Sequence, residues 1–290
     1  MDNKPNQTKS SVILVTKASG EQEPFNLKKL EGSLRNAGAG EGLVKEITID
    51  ISEWIYSGVT TKKIYFRAFQ LLKRIKNVTA IRYKLKQAIL ELGPTGYPFE
   101  HFIGKLFEKM GYDVKVGQVL EGTCVTHEMD VIANKDHTQQ LVECKFRQDQ
   151  GKIVSVQTSL YVRARVDDIV KRYKEVQKFE GYTFTGWVVT NTRFSSDCIK
   201  FGECSGLKML GWDYPAGKGL QAIIERERLY PITALTNLTK REKSQLLDQG
   251  IVTCMQLYEN LHVLDEIAFR QSKSTKLIKE LDDILTLKTS

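Results

Sequence analysis

The sequence predicts an α/β (α+β) protein with a mostly helical N-terminal domain, a central α/β/α layer domain and a small helical C-terminal domain. Three observations predict this arrangement. Apolar residues recur at helical spacing over 27–92, β-branched runs alternate with helical segments over 97–212, and the pattern is wholly helical from residue 230 onward. We place the three domains at residues 10–93, 94–228 and 229–290.

The composition is that of an ordinary globular protein. Of 290 residues, 41% are hydrophobic and 27% are charged, which excludes disordered, collagen-like and disulfide-scaffold classes. The 43 basic and 35 acidic residues give a net charge of +8, which permits nucleic-acid binding without establishing it. A polar N-terminus, no long apolar run and five cysteines without a CxxC pair predict a cytoplasmic protein that contacts no membrane.

The N-terminal domain begins with a predicted strand, SVILVTK, followed by a turn. Four amphipathic helices are expected after it, at about residues 27–38, 43–58, 60–75 and 79–92. Asn26 is a candidate N-cap for the first helix and Gly38 a candidate stop. Nine basic and no acidic residues fall between Thr61 and Leu90. This run suits either a solvated helical face or contact with a polyanion, and the sequence leaves both open.

The central domain begins after the turn residues of LGPTGYP. A helix over 97–110 is expected to turn five apolar side chains inward. Three strands follow, DVKVGQVL, EMDVIAN and QQLVECKF, and the stretch NKDHT predicts a hairpin turn between the last two. The predicted order then continues with a helix at about 154–179, a strand at 185–191, a short helix at 195–205 and a strand at 207–212. The five inward side chains of the first helix are Phe99, Phe102, Ile103, Leu106 and Phe107.

In the C-terminal domain, two short helical segments are separated by Gly250 and Ile251, a spacing typical of a helix-hairpin-helix unit. Such units occur both as DNA-binding modules and as packing caps, and the sequence does not decide between them. Elsewhere, Cys124 and His127 stand at C-x2-H spacing, but no second pair of ligands follows at the spacing of a zinc site.

The segment MDVIAN…LVECKF carries the most informative chemistry. Alternate side chains of a strand share a face, so Glu143 and Lys145 point the same way. If the two strands pair antiparallel, Asp130 reaches that face too. Two carboxylates suit Mg²⁺. A nearby lysine can deprotonate a metal-bound water as a neutral amine, or orient that water and neutralise charge on a phosphate as an ammonium. We therefore expect phosphodiester hydrolysis, and expect the loss of a carboxylate to leave the metal-free protein at least as stable. An exposed cross-strand ion pair is the alternative.

The segments PFEHFIGKLFEKMGYDV, HEMDVIAN and LVECKF together resemble the Mrr-type branch of the PD-(D/E)XK restriction-endonuclease-like superfamily. The resemblance covers about residues 96–212. It implies that Asp130 and Glu143 ligate the metal, that Lys145 assists the water, and that Glu100 supports the metal or the lysine. Gln157 matches a polar helix position of the family, where Ser159 replaces the usual lysine.

The segment VTKASGEQEPFNLKKLEGSLRNAGA is similar to the ATP-cone, a nucleotide-sensing regulatory domain. The resemblance implies a site for ATP or dATP that is bound and not hydrolysed. Ala18 and Ser19 replace the common arginine and aspartate, which removes a phosphate contact. The matching residues are Val15, Lys17, Gly20, Phe25, Lys28 and Tyr83.

The two resemblances imply a Mg²⁺-dependent DNA endonuclease, of restriction or repair type, whose activity or assembly responds to ATP or dATP. The expected partners are DNA and a nucleotide, and we expect a homo-oligomer. Two alternatives remain: a catalytically silent, nucleotide-responsive DNA-binding regulator, and a Holliday-junction resolvase on the same fold.

Overall fold

The computed structural model describes residues 12–17, 20–75, 77–149, 151–267 and 269–286. The chain divides into two compact units, one that ends at Lys84 and one that begins at Leu85. Our domain boundaries after residues 93 and 228 stay predictions. Ala18, Ser19 and Lys76, a member of the basic run, lie outside the described residues.

The N-terminal unit is a short hairpin followed by helices, as predicted. Its elements are β1 (Leu14–Thr16), β2 (Gln22–Pro24), α1 (Leu27–Asn36), α2 (Glu41–Trp54), α3 (Thr61–Ile75) and α4 (Asn77–Leu90), within which the division falls. Asn26 caps α1 by accepting a hydrogen bond from the Lys29 N–H at 3.2 Å. Gly38 follows α1 with a left-handed φ of 82°. Both ends of α1 therefore form as the sequence predicts.

The second unit alternates helices and strands. Its elements are α5 (Tyr97–Lys109), β3 (Asp113–Glu121), β4 (Thr126–Lys135), β5 (Thr138–Lys145), β6 (Ile153–Val154), α6 (Val156–Tyr173), β7 (Thr183–Thr190), β8 (Arg193–Phe194), α7 (Ser196–Cys204), β9 (Lys208–Leu210), α8 (Leu220–Glu227), α9 (Lys240–Asp248), α10 (Cys254–Glu259) and α11 (Ser274–Leu285). Five of the strands form one sheet, with strand order β3-β4-β5-β7-β9. Strands β3, β4 and β5 pair antiparallel, whereas β5, β7 and β9 pair parallel.

The mixed α/β fold is the predicted one, and its sheet packs against the predicted apolar face of α5. The five inward side chains expected on α5 are all buried. One prediction in this unit needs correction, and two features were not predicted. The helix expected over 154–179 ends at Tyr173, the parallel pair β6–β8 was not expected, and neither was α8. A strand of two residues is too short to show the alternation of apolar and polar residues that predicts a strand. Its pairing depends on tertiary contacts instead.

The hairpin between β4 and β5 sets the register of the central strands. Asp136 and His137 occupy its tip with positive φ values of 45° and 60°. Two successive left-handed residues are characteristic of the tight turns that match the twist of antiparallel strands. The turn places Val131 opposite Val142, so the predicted hairpin is present.

The C-terminal helices are present on both sides of the predicted hairpin glycine. Gly250 has a φ of 77° and separates α9 from α10. Each helix begins with a capping box, Thr239 with Glu242 and Thr253 with Gln256. None of the described helices combines the length and the hydropathy of a membrane span.

A carboxylate on α6 holds the turn between β3 and β4. Asp168 accepts hydrogen bonds from the backbone N–H of Cys124 at 2.9 Å and of Val125 at 3.3 Å, and its carboxylate lies 2.8 Å from His127 Nε2. The hydrogen bond to His127 holds the pKa of Asp168 well below its usual range. A Cβ at Gly122 would lie within 2.1 Å of this carboxylate, so only glycine fits. Cys124 and His127 thus belong to a structural clamp.

We expect Asp168→Ala to free the Cys124 and Val125 amides, which should lose protection in hydrogen exchange. The Thr123 amide is the internal control, because it donates to the backbone carbonyl of Asp168. A carboxylate with a depressed pKa is ionised at every pH above that of a free carboxyl, about 4. The clamp should therefore persist down to that pH and weaken only below it. Unchanged exchange at Cys124 would contradict the clamp.

Candidate active site

Two strands and two helices of the second unit bring a cluster of charged side chains together at the sheet. The register that pairs Val131 with Val142, continued by one residue, sets Asp130 opposite Glu143. Directly opposed residues of an antiparallel pair share a face. The Asp130 carboxylate turns toward β5, where its Oδ2 accepts a hydrogen bond from the Cys144 N–H at 2.6 Å. The strand geometry predicted for Asp130 and Glu143 is therefore present.

Glu143 is 4% exposed and accepts hydrogen bonds from three side chains. Its Oε1 accepts from Lys145 Nζ at 2.5 Å and from the Tyr161 hydroxyl at 2.8 Å, and its Oε2 accepts from Arg165 Nη1 at 2.7 Å. A buried carboxylate needs such partners, because an unpaired buried charge is strongly disfavoured. Two cations and a phenol thus fix the orientation of Glu143.

Burial and crowding with other carboxylates oppose ionisation of Asp130 and Glu100. Burial and the charge of Glu143 raise the pKa of Asp130 to about 6. Burial, followed by the charges of Asp130, Glu128 and Glu143, raises the pKa of Glu100 to about 7. Glu100 lies in the first turn of α5, where the absence of a side chain at Gly96 leaves room for its carboxylate. Four carboxylates therefore interact at one end of the site.

Lys145 keeps its proton in this setting. Burial lowers the pKa of Lys145, but its hydrogen bonds to Glu143 and Tyr161 and the charge of Glu143 outweigh that effect and raise the pKa overall. Burial and the charge of Glu143 in turn raise the pKa of Tyr161 to about 12. Lys145 is therefore an ammonium, and Tyr161 is a neutral hydrogen-bond donor, at neutral pH.

Three residues of the cluster, Glu128, Tyr161 and Arg165, were not predicted from the sequence. Gln157, the predicted polar position of α6, is exposed and accepts a hydrogen bond from Ser155 Oγ at 3.0 Å. Tyr161 and Arg165 follow it by one and two turns of the same helix face, and these side chains contact Glu143. Glu128 lies two residues before Asp130, on the same strand face. The spacing of four from Gln157 was the available signal for the two helical residues.

Asp130 and Glu143 are the carboxylates best placed to hold a metal ion through hard oxygen atoms. Within the described ranges, no three or more His, Cys, Asp and Glu side chains are arranged to share an ion. An ion at this site would therefore draw its remaining ligands from water and from substrate, which is the usual preference of Mg²⁺. Mutual repulsion of the carboxylates is the feature that a divalent cation would relieve.

Three of the residues expected to bind a nucleotide lie in the hydrophobic core of the N-terminal unit. Val15 is 2% exposed in β1, and Phe25 and Tyr83 pack against the same core. Tyr83 also stacks on Tyr65 with ring centroids 4.8 Å apart, and burial raises its pKa. The structure thus gives these three side chains a packing role.

The other three nucleotide candidates are on or near the β1–β2 hairpin. Lys17 Nζ lies 3.1 Å from a Glu23 carboxylate oxygen and 3.5 Å from one of Glu21. Gly20 has a left-handed φ of 87° in the turn. Lys28 is exposed in the first turn of α1. A nucleotide site at this hairpin stays a prediction.

Two family models match the chain, and both matches lie in the second unit. A model described as a restriction endonuclease matches residues 93–213, which contain Asp130, Glu143 and Lys145. A model described as AF1548-like, C-terminal matches residues 230–285. The sheet domain is therefore a restriction-endonuclease-like domain, followed by a recognised C-terminal domain.

The chain is also similar to one protein sequence and to two solved structures. An uncharacterized protein of Archaeoglobus fulgidus is 30% identical over 184 residues, which are 63% of this chain and 99% of that relative. The crystal structure of AF1548, a protein of unknown function, matches at 30% identity and a TM-score of 0.54, over 67% of this chain and 100% of that one. The restriction endonuclease MspJI, in complex with a 27-mer oligonucleotide, matches at 12% identity and a TM-score of 0.34, over 72% and 40% of the two chains.

Proposed function

Because this chain belongs to the AF1548-like family and carries a restriction-endonuclease domain, we propose that it is a Mg²⁺-dependent DNA endonuclease. One observation carries the proposal: Asp130, Glu143 and Lys145 meet on one face of the sheet, on adjoining strands. Paired carboxylates beside an ammonium are the groups that phosphodiester hydrolysis requires.

Each residue has a role that follows from its surroundings. Asp130 and Glu143 would hold Mg²⁺, which supplies a coordinated water of lowered pKa and neutralises charge on the phosphate. Lys145 is an ammonium in this geometry, so it would donate a hydrogen bond to the attacking water or to a phosphate oxygen. Tyr161 and Arg165 orient Glu143. Glu100, with its raised pKa, would support the metal or the lysine.

Arg147 is a further cation available to a DNA backbone. It follows Lys145 by two residues, and its main chain is held by the Asn191 amide group through two hydrogen bonds of 2.8 Å. The Nε atom of Arg147 is buried and has no hydrogen-bond partner among the described residues. A phosphate would therefore have to contact the terminal Nη atoms of this guanidinium.

A cleavage assay with plain, methylated and branched DNA tests the proposal. Purified protein is incubated with each substrate in Mg²⁺, Mn²⁺ or EDTA. We expect metal-dependent cleavage of at least one substrate and no cleavage in EDTA. Selective cleavage of four-way junctions would support the resolvase alternative, and cleavage in EDTA would contradict the proposed chemistry.

One observation favours the alternative in which the chain is a DNA-binding regulator without catalytic activity. Both carboxylate oxygens of Glu143 already accept hydrogen bonds, from Lys145, Tyr161 and Arg165. Three of the four lone-pair sites of this carboxylate are therefore occupied, so a metal ion would have to use the remaining site on Oε2 or displace a contact. DNA binding without cleavage of any substrate, in either metal, would favour this alternative.

The N-terminal unit is proposed to bind ATP or dATP and to change the activity or assembly of the chain. Lys28, an exposed lysine near the β1–β2 hairpin, is the residue to test. A nucleotide should change activity or oligomer size by roughly five- to a hundredfold, and Lys28→Ala should weaken that response. Lys45→Ala, an exposed lysine on α2, is the matched control. Calorimetry and light scattering with ATP, dATP and ADP measure both effects. No heat and no change in mass with any nucleotide would contradict the regulatory role.

A cytoplasmic location is part of the same proposal. All five cysteines are free thiols. Cys144 and Cys254 are buried, and burial raises the pKa of both thiols, which keeps them protonated and unreactive. Free thiols of this kind are typical of proteins from a reducing compartment.

A further inference from the structure

The N-terminal unit carries an open groove between the end of α2 and the first turns of α3. Its volume is about 460 Å³. Apolar surface from two aromatic rings and alkyl stems dominates its walls. The residues that line it are Trp54, Lys62, Lys63, Phe66, Arg67 and Gln70. None of them belongs to the candidate active site or to the predicted nucleotide site.

The two rings of the groove differ in how firmly they are held. Trp54 is half-buried, with the guanidinium of Arg67 4.9 Å from its ring centroid and Tyr56 edge-on at 6.0 Å. Phe66 is 59% exposed. The exposed Phe66 ring lies beside the packed Trp54 ring. An exposed aromatic ring next to a fixed one can stack on a planar ligand.

The free charge of the groove is positive. Arg67 Nε pairs with Asp50 Oδ1 at 2.6 Å, so its charge is neutralised within the unit. Lys62 and Lys63 are exposed, and neither pairs with a carboxylate among the described residues. They also begin the run over 61–90 that contains no acidic residue. An anionic ligand is therefore expected.

We propose that this groove binds single-stranded DNA, with a base stacked on Phe66 and the neighbouring phosphates at Lys62 and Lys63. Rings and cations that line the same groove offer contacts to both the bases and the phosphates of a strand. The base must be unpaired, because base pairing and stacking within a duplex cover the faces that Phe66 would contact. This contact lies outside the restriction-endonuclease domain, and it does not depend on whether that domain cleaves DNA.

The aromatic part of the proposal is tested with a labelled oligo(dT) strand and the full-length chain in EDTA. Fluorescence anisotropy should show binding about tenfold weaker for Phe66→Ala, and Phe66→Trp should restore it. Ile75→Ala is the matched control, because Ile75 is 52% exposed on the same helix and does not line the groove. Equal affinity of Phe66→Ala and wild type would overturn the proposal.

The charged part is tested with two double variants of α3. Lys62→Ala/Lys63→Ala should weaken binding. It should also reduce the magnitude of the slope of log K against log[salt] by about 1.4, because each phosphate contact of a single strand contributes about 0.7 to that slope. Lys73→Ala/Arg74→Ala removes the same charge from the same helix outside the groove and should have a smaller effect. Equal losses in the two variants would overturn the groove in favour of diffuse attraction. Competition by duplex DNA or ATP as strong as that by oligo(dT) would overturn the choice of a single strand.

Discussion

Asp130→Asn, Glu143→Gln and Lys145→Met are each expected to lower the rate of DNA cleavage by at least about a thousandfold. The three side chains form one connected group. Asp130 accepts a hydrogen bond from the β5 backbone, and Lys145 donates a hydrogen bond to Glu143. Residues that act as a unit give losses that do not add. The double variant Asp130→Asn/Glu143→Gln should therefore be little worse than either single one. Initial rates on the substrate that the wild type cleaves best measure these effects.

Asp113→Asn is the matched control for these variants. Asp113 is an exposed carboxylate at the start of β3 in the same sheet, where it pairs with Asn134, four residues along β4 from Asp130. It should cleave at the wild-type rate, and thermal melting should show that every variant is folded. Wild-type cleavage by Asp130→Asn would show that the site is wrongly assigned.

Glu143→Ala is expected to lower the free energy of unfolding by about 3 kcal/mol. Its removal leaves Lys145 and Arg165, with exposed side-chain fractions of 26% and 22%, as two cations without their common counter-charge. From the sequence we expected the loss of either carboxylate to leave the metal-free protein at least as stable. For Glu143 the structure leads us to expect the opposite. Urea titration of the metal-free protein measures the difference.

Asp130→Asn is the comparison for Glu143→Ala. The raised pKa of Asp130 means that folding opposes its ionised form, and an asparagine oxygen can still accept the Cys144 hydrogen bond. We expect this variant to be at least as stable as the wild type. Adding Arg165→Met to Glu143→Ala should recover part of the lost stability, because one unpaired cation is removed. A Glu143→Ala protein that unfolds at the wild-type urea concentration would contradict the proposed balance of charges.

The core of the candidate site could be predicted because it depends on local patterns. The period of two in LVECKF fixes the shared face of Glu143 and Lys145, and the turn residues Asp136 and His137 fix the register that brings Asp130 opposite. Each of these signals lies within a few residues of the side chain it positions.

The remaining parts depend on distant contacts that no local pattern encodes. Tyr161 and Arg165 reach Glu143 from a helix 18 and 22 residues further along the chain. Glu280 of α11 would be expected on the surface, yet it is 1% exposed, because the backbone N–H groups of Thr236 and Asn237 donate hydrogen bonds to it. Such charges are buried only once the folded chain supplies their partners.

Binding of Mn²⁺, followed by electron paramagnetic resonance beside cleavage, tests the metal site most directly. Wild type, Asp130→Asn and Lys145→Met are compared at the same protein concentration. If Asp130 and Glu143 hold the metal and Lys145 acts on the water or phosphate, Lys145→Met should bind Mn²⁺ without cleaving DNA. Asp130→Asn should lose both properties. Equal Mn²⁺ affinity of Asp130→Asn and wild type would contradict the metal site at Asp130.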